Sequence, residues 1–258
     1  MKSLSVLISS VILLILVNST HAQKNSSGEL IKEGIAKTKL AYLHYDNNLL
    51  NDAYNIFDKA YSSDSTNMLP AYYLALIDYK FCEMNARQGS ESLFDKYYND
   101  ALAKIKKLET NKNFEADGKI ITAGVYMMKI TISPMSAVTL SSKVHALLDE
   151  AQGIDPSNPY SYLIRGIMDL NTPEMYGGSP SNALKNFNTS LRLFGENDST
   201  LIPWGDVETL AWTGQALEKL GNLESAEFTY KKSLKEEPDF MWVKQSLLPN
   251  LEAKLANR

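Results

Sequence analysis

The fold is decided by Leu210–Pro238, which reads LAWTGQALEKLGNLESAEFTYKKSLKEEP. Gly221-Asn222 is a turn signal in its middle, and Pro238 ends the second half because the residue before a proline is pushed out of the helical region. Apolar residues after the turn recur at roughly helical spacing, which predicts one buried helix face. They are Leu223, Ala226, Phe228, Tyr230 and Leu234. The stretch therefore predicts two short helices packed back to back.

The same arrangement recurs along the chain. Near the opposite end, Ala41 precedes Ala53 by 12 residues, the interval that also separates Gly214 from Ala226. A small residue in the second helix of each unit recurs at intervals of 41, 50, 39 and 43 residues. These residues are Ala60, Ala101, Ala151, Ser190 and Ser233. Such recurrence is typical of helical repeat proteins, in which each unit packs on its neighbours.

The Leu210–Pro238 stretch resembles the tetratricopeptide repeat, which has a small residue, then Ala-x3-aromatic, then Pro. The matching residues here are Gly214, Ala226, Tyr230 and Pro238. The intervals exceed the roughly 34 residues of that family, so the chain resembles a divergent, stretched member. The resemblance implies an all-α solenoid of about five helix pairs plus a C-terminal capping helix. The predicted units are residues 31–61, 69–108, 114–152, 160–194 and 204–236, with the cap at 239–256.

The middle units are longer than the end units. The intervals Ala75–Phe94, Gly124–Val144 and Gly166–Ala183 are 19, 20 and 17 residues, against 12 for Gly214–Ala226. Seven or eight extra residues equal about two helical turns, so we predict one extra turn on each helix of units two and three. The five extra residues of unit four are loop formers.

The chain begins with a predicted signal peptide, residues 1–22. Lys2 precedes an apolar run of 14 residues from Leu4 to Val17, and the small residues Thr20 and Ala22 precede the expected cut. The run is shorter than the roughly 20 residues of a membrane-spanning helix, although an uncleaved anchor is the alternative. With no cysteine at the cut, a lipid anchor is disfavoured. We expect an exported protein, periplasmic or secreted, with no membrane span after cleavage.

The remaining chain, residues 23–258, is predicted to be one solenoid domain. Removing one lysine with the leader changes the net charge from −4 to −5, and there is no basic cluster, which argues against nucleic acid as a partner. Cys82 is the only cysteine and lies in an apolar stretch, so a buried side chain is favoured over a reactive thiol.

A concave groove is the first candidate site. In tetratricopeptide stacks the first helix of each unit lines the concave face, and the resemblance carries this face onto tyrosine-rich positions. These are Tyr42, Tyr45, Tyr72, Tyr79, Met128, Tyr160, Leu170 and Asn171, followed by Gln215, Glu218 and Lys219 in the last unit. Such a groove suits a protein segment, a peptide or a small apolar ligand. Helix spacing leaves open the alternative that several of these tyrosines pack in the core.

The loop between the helices of unit four is the second candidate site. It contains Pro173, Tyr176, Gly177 and Gly178, and a loop held by rigid elements often carries function. The sequence leaves open whether this loop is functional or only a stable turn. Together with the following Ala-x3-Phe it resembles a loop of divergent periplasmic repeat proteins associated with TRAP-type transporters.

Catalysis has little support in the sequence. His44 and His145 lie in no metal-binding spacing, and no phosphate loop, serine elbow or Cys–His pattern is present. His44 occupies a position that is aromatic in tetratricopeptide repeats, which predicts a packed side chain. We therefore expect no enzyme, cofactor or metal. The leading hypothesis is a protein-binding or peptide-binding scaffold, and the alternative is a small-ligand or transporter-accessory protein; the oligomeric state is left open.

Overall fold

The computed structural model describes residues 27–88, 91–196 and 200–257, except the side chains of residues 87 and 88. Across these ranges the chain is helical and contains no strand. The predicted signal peptide, residues 1–22, lies outside the described residues.

Five helix pairs and a final helix follow one another in the described chain, which confirms the predicted all-α solenoid. The pairs are α1 (27–44) with α2 (Asn47–Ser63), α3 (Met68–Gln88) with α4 (Glu91–Glu109), α5 (Glu115–Ile132) with α6 (Ala137–Ile154), α7 (Pro159–Asn171) with α8 (Pro180–Glu196), and α9 (Gly205–Lys219) with α10 (Leu223–Glu236). A π-helical turn, Val243–Leu247, leads into α11 (Leu248–Ala256).

The recurring small residues lie where the helices approach most closely. All five are fully buried, at 0% exposure, and they are Ala60, Ala101, Ala151, Ser190 and Ser233. The middle units are longer than the last unit, because α3 to α6 have 21, 19, 18 and 18 residues while α9 and α10 have 15 and 14. They are not clearly longer than the first unit, whose α1 and α2 have 18 and 17 described residues. The extra residues of the fourth unit lie in the loop between α7 and α8.

In three pairs a glycine of the first helix faces an aromatic ring of the second. A Cβ built on each glycine would lie within 3 Å of that ring. The pairs are Gly34 with Phe57, Gly166 with Phe187, and Gly214 with Tyr230. Gly34, rather than Ala41, is thus the counterpart of Gly214. The predicted register of the first unit is wrong, because Gly34 lies about two helical turns before Ala41.

Two further side chains lie where the sequence did not place them. The apolar pattern puts Phe228 on the buried face of α10, but this side chain is 72% exposed. Since each residue turns a helix by about 100°, a position two residues from both Ala226 and Tyr230 points away from them. His44 is exposed at the end of α1 rather than packed.

The stack closes on itself, because the first two pairs contact α9 and the segments on either side of the last pair. The contacts are Tyr42 with Trp204 and Phe240, Tyr73 with Leu201, Lys80 with Glu208, and Lys39 with Glu237. Trp204 and Phe240 are fully buried by this closure. The concave side of the solenoid is therefore filled by the protein itself.

Candidate functional site

The tyrosines predicted to line an open groove lie inside the protein. Tyr42, Tyr72, Tyr79 and Tyr160 are 8%, 1%, 4% and 4% exposed. Leu170 is also buried, Tyr45 and Met128 are half-buried, and Asn171 is exposed. The groove expectation is corrected for the buried residues, because closure covers the face that they form. The second sequence alternative, core packing, describes them.

The centre of the closed stack holds a buried charged cluster around Lys80. The Lys80 Nζ atom lies 3.2 Å from Glu83 Oε2 and 3.3 Å from Glu208 Oε1. It also lies 4.7 Å from the ring centroid of Tyr42 and 5.2 Å from that of Tyr79, within cation–π distance. The cluster joins α1, α3 and α9.

Burial acts against both partners of the Lys80–Glu208 pair. It raises the pKa of the Glu208 carboxyl, although Lys80 opposes this shift. It lowers the pKa of Lys80, but the carboxylates of Glu208 and Glu83 more than offset this and leave that pKa above its usual value. Glu208 Oε2, the Tyr160 hydroxyl and Trp204 Nε1 have no hydrogen-bond partner among the described residues. The cluster therefore connects the helices through a buried ion pair, and some of its polar atoms lack hydrogen-bond partners.

The space left beside this cluster is small. A cavity of about 20 Å³ is bordered by Tyr42, Tyr45, Lys80 and Glu83. Since one water needs roughly 10–15 Å³, the cavity has room for a water and not for an organic ligand or a peptide. In this closed form, a partner must bind elsewhere on the protein.

The loop between α7 and α8 is held in one conformation. Glu174–Tyr176 form a turn of 3-10 helix, and Gly177 follows with φ of 94°, in the left-handed region that favours glycine. The Gly178 N–H donates to the Pro173 carbonyl at 3.2 Å. A Cβ on Gly178 would lie only 1.7 Å from the carbonyl oxygen of Thr172. Both glycines are therefore required for the geometry of this loop.

The rigid loop presents apolar side chains to solvent. Met175 and Tyr176 are 81% and 73% exposed, and Met135 and Val138, at the turn between α5 and α6, are both 80% exposed. These turns belong to neighbouring helix pairs, and turns within pairs lie at the same end of a solenoid. We call Met135, Val138, Met175 and Tyr176 the turn edge. The sequence singled out only its Tyr176, because the other three stand in no motif.

A polar recess of about 290 Å³ lies beside α9 and α11, at the same end of the stack. It is lined by Gln215, Glu218 and Lys219, which the sequence placed on the concave face, and by Leu247, Asn250 and Lys254. The Lys219 Nζ donates to the Leu170 carbonyl at 2.5 Å, which joins the recess to the end of α7, where the loop begins. The recess is the part of the predicted groove that closure leaves open.

The described residues contain no group of three or more His, Cys, Asp or Glu side chains placed to hold a metal ion. Cys82 is buried, and burial raises the pKa of its thiol to about 12. Within the described ranges, no helix combines the length and apolar character that crossing a bilayer requires.

The comparisons with known proteins give structural neighbours only. No protein-family model matches the chain, and no curated protein matches it. The HusA haemophore from Porphyromonas gingivalis matches with a TM-score of 0.59 and 17% identity, covering 74% of this chain and 93% of the haemophore. A thermophilic TPR protein from Thermus thermophilus matches with a TM-score of 0.58 and 17% identity, covering 90% of this chain and 97% of that protein. The chain therefore has the fold of a divergent tetratricopeptide-repeat protein.

Proposed function

We propose that the protein is an exported, non-enzymatic scaffold that binds a segment of another protein at its turn edge. The observation that carries this proposal is the exposure of Met135, Val138, Met175 and Tyr176, at 73–81%, on two neighbouring turns. Large apolar side chains that are exposed on neighbouring turns are candidates for an interaction surface. The fold supports a scaffold role, since repeat solenoids present extended binding surfaces.

The rigidity of the loop favours tight binding. Covering one large apolar side chain contributes about 1.5–3 kcal/mol, from which the loss of side-chain and loop freedom is subtracted. The hydrogen bond from Gly178 to Pro173 and the constrained glycines hold Met175 and Tyr176 in place before a partner arrives. Little loop entropy is then lost on binding. Tyr176 adds a hydroxyl to its apolar ring, a combination enriched at interfaces.

The polar recess can supply hydrogen bonds to the same bound segment. Asn250 lines this recess and is exposed to solvent. Side-chain amides can both donate to and accept from the backbone of a bound segment. Lys254 and Lys219 are occupied by Glu218 and by the Leu170 carbonyl respectively, so they shape the recess.

Affinity capture with matched variants tests this function. The quadruple variant Met135→Ser, Val138→Ser, Met175→Ser, Tyr176→Ser removes the turn edge. The control, Phe228→Ser, removes an apolar side chain of similar exposure that lies within α10 and on no turn. Both proteins and the wild type are cross-linked in an extract of the source cells, and the captured proteins are identified by mass spectrometry.

We expect one set of partners that is captured by the wild type and by Phe228→Ser and is reduced at least about tenfold with the quadruple variant. Because all four positions are exposed, the quadruple variant should melt within a few degrees of the wild type. Retention of every partner by a folded quadruple variant would refute the turn edge as the binding surface.

Export is part of the proposal and has its own test. The basic start, the apolar run and the small residues before Gln23 support cleavage after Ala22. Mass spectrometry of the protein from the extracytoplasmic fraction should find Gln23 as its first residue. A protein confined to the cytoplasm would contradict export, and an extracytoplasmic protein that retains its leader would contradict cleavage and favour the uncleaved anchor.

Small-ligand binding is the second candidate function. It is favoured by recesses of about 290–340 Å³ on the described surface, near the lower end of the size range of small-molecule sites. One structural neighbour bears the name of a haemophore, but at 17% identity this likeness concerns the fold. The version that uses Tyr176 has less support, because this side chain projects into solvent and lines none of these recesses. Native mass spectrometry of the purified protein for a retained ligand would test the candidate.

A further inference from the structure

A separate pocket lies at the end of the stack opposite the turn edge, where the connections between successive pairs meet. Its volume is about 300 Å³, and its walls come from α3, the starts of α5 and α7, and the segment that leads into α9. That volume suits a small organic molecule. The proposed protein-binding surface does not use this pocket, so the two can be tested independently.

The charge of the pocket is negative. Asp117 and Asp155 line it, and none of the other described residues that line it is lysine, arginine or histidine. The Asn158 Nδ2 atom donates to Asp117 Oδ1 at 2.9 Å, and the Asp155 carboxylate accepts from Ser157. Both carboxyls thus have neutral donors but no lysine or arginine partner within the pocket lining.

The pKa of Asp117 is raised to about 6, mainly because burial disfavours its charge; the hydrogen bond from Asn158 opposes this shift and the neighbouring Asp155 charge adds to it. At neutral pH the Asp117 carboxyl is still ionised, although burial destabilises the carboxylate form. A bound cation would stabilise this carboxylate, because an opposite charge nearby favours the ionised form.

Aromatic side chains form the rest of the recognition surface. The rings of Tyr72 and Phe114 lie with centroids 5.9 Å apart. Tyr160 also lines the pocket and is 4% exposed. Aromatic faces attract organic cations and pack against their apolar parts. Ca²⁺ would instead need six to eight oxygen ligands, and Mg²⁺ an octahedral set that includes waters.

We propose that this acidic pocket binds a small organic ammonium ion. The ammonium group lies against the carboxylates of Asp117 and Asp155, and the apolar body of the ligand packs on Phe114, whose ring is backed by the buried Tyr72. The two carboxylates select the charge and the aromatic rings select the organic body, so neither an anion nor an inorganic cation satisfies both.

Titration of the full chain with 2-phenylethylamine, followed by calorimetry or NMR, tests the proposal. The neutral analogue 2-phenylethanol, of nearly the same shape, serves as the ligand control. We expect saturable amine binding at pH 7.5 and alcohol binding at least about tenfold weaker. Amine affinity should fall below pH 6, because protonation removes the Asp117 charge while Asp155, Tyr72 and Asn158 remain beside it.

Two variants and a control complete the test. Asp117→Asn removes the carboxylate and should weaken amine binding about tenfold or more, while Asp52→Asn removes an exposed carboxylate on α2 and should leave binding unchanged. A carboxyl whose pKa is raised by folding reduces stability once pH exceeds that pKa, so Asp117→Asn should fold at least as well at pH 7.5. Phe114→Leu keeps both carboxylates and should weaken amine binding several-fold.

Three outcomes would overturn the proposal. They are the absence of saturable amine binding at millimolar concentration, equal binding of the amine and the alcohol, and unchanged amine affinity in both Asp117→Asn and Phe114→Leu. Changed partner capture by the turn-edge variant would leave the ammonium site unaffected.

Discussion

Single glycines set how closely the two helices of a pair approach. In the fourth pair, a Cβ on Gly166 would lie 2.4 Å from the ring of Phe187, and Gly214 stands in the same relation to Tyr230. The missing side chain makes room for the ring, which is why the aromatic residue is fully buried. The sequence singled out Gly214 but matched it by interval with Ala226, whereas the structure places it against the Tyr230 ring. In the first unit the sequence chose Ala41 in place of Gly34, because both residues are small and lie on the same face of α1.

Gly166→Ala tests the importance of this close approach. Because Phe187 is fully enclosed, the added methyl forces the helices apart, and we expect a loss of about 1–3 kcal/mol in the free energy of unfolding. Gly153→Ala in α6 is the control, since a Cβ there meets nothing within 4 Å and alanine should stabilise the helix by about 0.5–1 kcal/mol. Denaturant unfolding measures both, and equal effects would contradict the glycine–aromatic contact.

At positions that do not follow the repeat spacing, the residue type alone does not predict whether the side chain is buried or exposed. Phe228 and His44 look like core residues by type or by family position, yet both face solvent. Helix rotation decides their direction, and apolar character does not. By contrast, Ala226 and Ser233, which keep the helical interval, are buried as predicted.

Among the elements, helix length and loop shape carry the differences between units. Both helices of the second and third pairs, α3 to α6, are longer than α9 and α10, as expected if paired insertions keep the two apolar faces in register. The additional residues of the fourth unit lie in the loop that ends in Gly177 and Gly178. The presence of this loop was predictable from Pro and Gly. The exposure of Met175 was not, because side-chain direction in a loop depends on dihedral angles.

Gly178→Ala should loosen this loop. A Cβ would lie 1.7 Å from the Thr172 carbonyl oxygen, so the backbone must move and its hydrogen bond to Pro173 should weaken. We expect amide hydrogen exchange over residues 172–179 to accelerate several-fold while exchange in α9 and α10 stays unchanged. Partner capture should fall together with loop order. Unchanged exchange in the loop would contradict the account of its rigidity.

At the scale of the whole molecule, contacts between the first two helix pairs and the last pair bury residues that were predicted to line an open groove. The family resemblance assigned Tyr42, Tyr72 and Tyr160 to the inner faces of the first helices, and all three side chains are buried. The resemblance does not give the angle between successive pairs, which decides whether the inner faces remain open. That angle depends on contacts between distant segments, such as Tyr42 with Trp204, which no local pattern contains.

The Lys80–Glu208 pair ties the second helix pair to the fifth across the closed centre. The two side chains are 6% and 4% exposed, so Lys80→Met leaves Glu208 buried without its cation and should destabilise the protein by about 3–5 kcal/mol. The double variant Lys80→Met, Glu208→Leu removes both charges and should regain at least about 2 kcal/mol of that loss. Denaturant unfolding of the two variants gives the comparison. A double variant less stable than Lys80→Met would contradict a buried pair between α3 and α9.

Zero-length cross-linking tests the closed stack most directly, because a carbodiimide joins a lysine to a carboxylate only where they touch. Lys39 contacts Glu237 across the closure, and both side chains are accessible to reagent. The local pair Lys231–Glu227 within α10 is the positive control. The closed stack predicts that mass spectrometry of the cross-linked monomer finds both the Lys39–Glu237 and the Lys231–Glu227 linkages. Recovery of the local linkage alone, with Lys39–Glu237 absent, would show that the stack is open.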